Sequence, residues 1–158
     1  MYTRIHKEET TLRLILILSL AGIALSGYLT YVHFTHQGLC PREGECEKVW
    51  LSPYNTILGV PVALIGLMGY IVIFALSFLR LYYTDLDSME NLPTYILILS
   101  IVGGAFSIYL TVIEIFVIQA ICDYCFSAFL VMIAILGLIT YGVLKGEGEE
   151  KAAELQEA

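Results

Sequence analysis

Four runs of apolar residues, at positions 14–34, 58–79, 95–118 and 126–144, set the pattern of this chain, and polar segments separate them. Each run has the roughly 20 residues that a helix needs to cross a hydrocarbon core of about 30 Å. None alternates with the two-residue period of a barrel strand, and lipid offers no water to backbone groups left unpaired. The runs contain one acidic residue, Glu114, and no lysine or arginine. The expected fold is therefore an all-α membrane protein, a four-helix transmembrane bundle over 14–144 with spans near 14–34, 58–79, 95–118 and 122–144. Residues 1–13 form an N-terminal segment and 145–158 an acidic tail.

Composition supports this class, with 58% apolar and 15% charged residues, outside the usual range of soluble domains. The net charge of −7 gathers in 84–90 and 147–157. With no basic patch, nucleic acid is not an expected partner. Glu147, Glu149, Glu150 and Glu154 read as an ordinary solvated face. The first run is too long for a signal-peptide core and lacks a small-residue cleavage site after it, so it is expected to persist as a membrane helix. An even number of spans puts Arg4, Lys7, Arg13, Arg80, Lys145 and Lys151 on one side and Arg42 and Lys48 on the other. That bias predicts cytoplasmic termini, an extracytoplasmic 35–57 loop between helices 1 and 2, and a turn around Cys122 at the same outer surface.

Within the runs, Gly22 and Ser26, Gly66 and Gly69, and the pair Gly103-Gly104 are small residues of the kind that let helices approach closely in lipid. Gly59-Val60-Pro61 is expected to open the second span, with proline in the first helical turn. Val49, Trp50, Leu51 and Ile57 suit a short segment in the membrane interface.

The four cysteines carry the chemistry. Cys122 and Cys125 form a Cys-x-x-Cys at the start of the last helix, and Cys40 and Cys46 lie in the long outer loop. Exposed N–H groups at a helix start favour a thiolate at Cys122, while the charge of Asp123 opposes it. Three readings compete: a zinc site of four thiolates, two structural disulfides, and a thiol relay. The loop spacing is loose for zinc, and an oxidising compartment works against persistent thiolates. A bridge across Cys-x-x-Cys closes a short ring and is characteristic of redox-active pairs. Two pairs brought to one membrane surface can hand two electrons along by thiol–disulfide exchange, the reading that the pattern favours.

Cys40, then Cys46 with Ser52 six residues on, Leu58-Gly-Val-Pro61, and Cys122-Asp-Tyr-Cys125 together resemble the vitamin K epoxide reductase family. The likeness covers nearly all of the chain from Leu14 to Leu144, and the loop pair precedes the Cys-x-x-Cys, the reverse of the order in DsbB-type oxidases. The resemblance implies a bundle around a quinone, menaquinone or ubiquinone, with Cys122 and Cys125 as the active-site pair and Cys40 and Cys46 as the shuttle. It implies that Cys40 meets a partner thiol, Cys46 exchanges with Cys122, Cys125 lies against the quinone, and Ser52 donates a hydrogen bond to it. Animal members carry a tyrosine where this chain has Phe129, and no thioredoxin-like domain follows Leu144 here. Both departures favour a prokaryotic-type oxidase serving a separate, soluble thioredoxin-like partner over an epoxide reductase.

Glu114 is expected near the outer end of the third span, either snorkelling to water or delivering protons to a reduced quinone. His33 and His36 flank the outer end of the first span and His6 the inner; each reads as solvated or interfacial, and His33 or His36 could supply protons near neutral pH.

Overall fold

A computed structural model describes residues 2–35, 48–49, 51–57, 59–82 and 91–157, with side chains within 9–145. Cys40, Cys46, Trp50, Leu58 and His36 lie outside the described residues.

Four long helices dominate: α1 (Tyr2–Thr35), α2 (Val62–Tyr82), α3 (Leu92–Ile113) and α4 (Asp123–Glu157). Each holds a stretch long and apolar enough to span a membrane: Glu9–Thr35, Val62–Tyr82, Leu92–Ile118 and Asp123–Lys145. α1 packs on α2 and α4, and α3 packs on the same two, closing a ring of four. The chain runs up and down, so the ends of α1 and α3 meet the starts of α2 and α4 at one end of the bundle. That end holds Cys122 and Cys125 and is called the cysteine end below.

Several boundaries differ from the sequence pattern, and α1 already begins at Tyr2, ahead of its apolar run. The second helix starts at Val62 because Thr56–Ile57 and Val60–Pro61 pair as a minute antiparallel hairpin, Thr56 opposite Pro61. Gly59, at φ 82°, turns the chain there, a conformation that costs glycine little. Pro61 thus ends a strand instead of opening a helix. α3 begins earlier, at Leu92, because Pro93 fits a first turn where no N–H is needed. Beyond the membrane stretch, α4 continues as helix to Glu157, through the acidic tail.

The core is a cluster to which every helix contributes a fully buried isoleucine: Ile15, Ile73, Ile96 and Ile135. Facing outward, Ile17, Leu20, Val102 and Phe116 are 57–75% exposed, a lipid-facing surface in a bundle of this hydropathy. Hydroxyls inside the spans bond to their own helix: Thr30 to Ser26 O, Thr111 to Ser107 O and Thr140 to Leu136 O, at 2.7–2.9 Å.

The small residues divide into two roles. A Cβ on Gly22 would run into the ring of Tyr70, so this glycine does permit a close α1–α2 approach. Gly69 meets nothing within 4 Å and instead borders open space, which corrects its reading as a contact residue.

Candidate active site

α4 begins immediately after Cys122, which places this cysteine at the helix cap. Its carbonyl accepts the first helical bond from Phe126 N–H at 2.9 Å, and its sulfur accepts from Cys125 N–H at 3.3 Å. Both thiols are free; Cys122 is fully buried and Cys125 half-buried. The tension between helix start and Asp123 resolves toward the thiolate. The hydrogen bond from the Cys125 thiol holds Cys122 below the usual thiol range, helped by the Cys125 and Tyr124 N–H groups. Burial and the Glu114 carboxylate oppose this shift, and Asp123 is not among its causes.

The two sulfurs have different neighbours. Cys122 packs with Leu29 of α1, Ala120 and Val49, and Val49 lies three residues beyond Cys46. The segment that follows the loop pair therefore covers Cys122. Cys125 lies on the wall of a cavity of about 370 Å³ between the helices. Ser52, Asn55, Tyr70, Glu114 and Phe129 also line it, so the residues singled out in the sequence as a pocket share one cavity with Cys125. Among the described residues, the Ser52 hydroxyl oxygen is buried without a hydrogen-bond partner.

Glu114 arrives there through a break in helix geometry. After Ile113 the chain widens into one π-helical stretch, Glu114–Ile118, and the left-handed Gln119 at φ 53° ends it. The Glu114 carbonyl accepts from both Gln119 and Ala120 N–H groups. Glu114 is only 8% exposed, and its carboxyl bonds the Cys122 backbone N–H and the Cys125 thiol. The snorkelling alternative fails on that burial.

Sequence reasoning missed Asn55 and Tyr70. Asn55 Nδ2 bonds His33 Nδ1 at 3.0 Å, so His33 is tied to the cavity wall and is not simply solvated. No pattern in a polar loop marks out such an asparagine. Tyr70 carries a hydroxyl in mid-span, a signal of the same kind as Glu114, and donates to Ala128 O at 2.6 Å. It is buried in the core and also borders the cavity. Tyr28 and Tyr124, with centroids 5.0 Å apart, join α1 to the first turn of α4.

The fold and site define a multi-pass helical membrane bundle that holds a Cys-x-x-Cys pair against an internal cavity. Residues 13–140 match the model of the Vitamin K epoxide reductase family, and the chain belongs to that family. It is accordingly a membrane oxidoreductase, of a family linked to quinones in general.

Proposed function

We propose that this protein oxidises a soluble, extracytoplasmic thioredoxin-like partner and passes two electrons through Cys40–Cys46 and then Cys122–Cys125 to a quinone, supporting disulfide formation. One observation carries the reading: Cys122 is covered by the segment following Cys46, while Cys125 lies on the wall of an apolar cavity. Each sulfur of the pair has one side of a relay.

The cavity suits a quinone head group. Its volume lies in the range of small-molecule sites, its walls are mainly apolar, Phe129 offers an aromatic face, and the buried Ser52 hydroxyl is a donor suited to a carbonyl. When bound, a quinone supplies a two-electron, two-proton acceptor. The partner's thiolate attacks Cys40 and frees Cys46, and the partner's second thiol then releases Cys40; Cys46 attacks Cys122 and frees Cys125, and Cys40 resolves that mixed disulfide by bonding Cys46 and releasing Cys122. Cys122 and Cys125 then re-form their bond as the electron pair departs from the cavity side. The lowered thiol of Cys122 keeps an anion ready for that closure. Phe129, without a hydroxyl, favours this oxidase over an epoxide reductase. In the membrane, we place both termini in the cytoplasm and the cysteines outside, on the lysine and arginine bias.

The test is quinone reduction by the purified protein with a reduced thioredoxin-like donor, comparing wild type with Cys40→Ala and Cys125→Ala. Donor-dependent turnover that either substitution abolishes is expected; turnover indifferent to both sinks the relay. Menaquinone and ubiquinone are compared in the same assay. Stoichiometric zinc protecting the thiols from alkylation would instead establish a four-cysteine metal scaffold. A membrane-impermeant thiol reagent that labels Cys40 and Cys122 from opposite faces would overturn the topology.

A further inference from the structure

The proton on Cys125 has two acceptors within hydrogen-bond reach, the Cys122 sulfur and the Glu114 carboxyl. A carboxyl buried to 8% exposure at membrane depth carries a desolvation cost, and the π-helical stretch is a departure from regular helix that brings it beside both cysteines. Two bonds meet at this side chain: the Cys122 N–H holds it in place, and the Cys125 thiol engages it at the edge of the cavity. Gln119 in the left-handed region ends the π-helical turn, so the backbone is shaped around this one residue.

We propose that Glu114 is the acid–base residue of the cysteine pair, taking the Cys125 proton as that thiol gives up its electrons and carrying it across the cavity edge to the acceptor oxygen. The step rests on the relay proposed above, with a quinone as oxidant. Cys122 starts as thiolate, Cys125 as thiol and Glu114 as carboxylate. The Cys125 S–H bond breaks and its proton passes to Glu114, and the Cys122 sulfur bonds to Cys125 as an electron pair leaves for the acceptor. Glu114 then yields its proton to one acceptor oxygen and returns to carboxylate, and water supplies the second proton. In the opposite direction, an external thiolate attacks Cys122, the sulfur–sulfur bond breaks, and Cys125 leaves and takes its proton from the Glu114 carboxylic acid. That reverse step needs no quinone and can be followed alone.

The experiment uses the full chain with Cys40→Ser and Cys46→Ser, so that only the Cys122–Cys125 bridge remains, and measures its reduction by dithiothreitol without quinone. Glu114→Gln keeps an oxygen that accepts from the Cys122 N–H but cannot exchange the proton. Bridge reduction is expected to slow about 10-fold or more, with Tm unchanged. In the chain with all four cysteines, donor-dependent quinone reduction is expected to fall about 100-fold, the lower end of general acid–base contributions. Rates within twofold of the parent in both assays overturn the proposal. Should the variant fail to fold, the unsubstituted Glu114 protein is compared in water and deuterium oxide at equal dithiothreitol thiolate. A slower rate in deuterium oxide is expected, and an unchanged one overturns the step. Bridge reduction that depends on Glu114 in a protein that reduces no quinone would sink the relay's acceptor while leaving the thiol proton step standing.

Discussion

The bundle is solid around Ile15, Ile96 and Ile135, which are fully buried together with Ile73 of α2, although Ile73 also borders the cavity. Toward the cysteine end the same helices present Ser26, Gly66, Gly69, Gly103 and Cys125, and a cavity of about 370 Å³ opens between them. At 1.5 Å per residue, the ten residues from Ile135 to Cys125 span about 15 Å along α4, so both regions fit within one span. Tyr70, Ile73 and Met132 join the two regions, since they belong to the core and also border the cavity, and the Tyr70 hydroxyl ties α2 to Ala128 of α4. The two regions differ in side-chain size more than in hydropathy. In lipid, exclusion from water does not drive helices together, so close packing holds the solid part. The hollow part is left free for chemistry.

The strongest break in this comparison is Cys125→Ala, which should abolish donor-dependent quinone reduction while leaving Tm unchanged, because the sulfur borders space instead of filling the core. Gly69→Leu comes next. With nothing within 4 Å of its Cβ, the new side chain enters the cavity, so turnover should fall at least about tenfold; the helix, which gains about 1 kcal/mol of propensity on losing glycine, should not be destabilised. Gly22→Ala tests the opposite kind of glycine. The added methyl meets the Tyr70 ring, and a loss of about 1–3 kcal/mol of stability is expected in thermal or denaturant unfolding. If Gly69→Leu destabilises as much as Gly22→Ala, the distinction between hollow and solid regions is wrong.

The smallest effect is a shift in pH dependence. Because Cys122 is held below the ordinary thiol range of about 8.5, its thiolate persists as pH falls through that value and is lost only at lower pH. Alkylation of reduced Cys122, normalised to its plateau, should therefore have a midpoint below 8.5. Cys125→Ala removes the thiol that supplies the largest stabilising hydrogen bond and should move the midpoint upward. A midpoint that stays put would mean the helix start alone sets the thiolate.

Four spans and the placement of Cys122 at a helix start were legible as residue patterns, and Ser52, Phe129 and Glu114, which the sequence singled out, line one cavity with Cys125. Apolar run length and the Cys-x-x-Cys spacing are local properties that survive without knowledge of neighbours. The helix starts at Val62 and Leu92 were not, because a two-residue hairpin and a proline in a first turn shift boundaries without changing hydropathy. The tie between His33 and Asn55 was equally hidden, since it joins residues 22 positions apart across a bend.

What the sequence alone determined is a membrane bundle and its thiol inventory: hydropathy decides what must leave water, and spacing decides which cysteines pair with a helix start. Only the tertiary structure decided that Cys122 lies beneath Val49 while Cys125 borders a cavity, and that Glu114 reaches both. A π-helical stretch of five residues changes the direction in which every later side chain points, and no count of apolar positions records that rotation. Which sulfur meets which neighbour depends on how four helices turn about their axes, and packing across the bundle sets those angles.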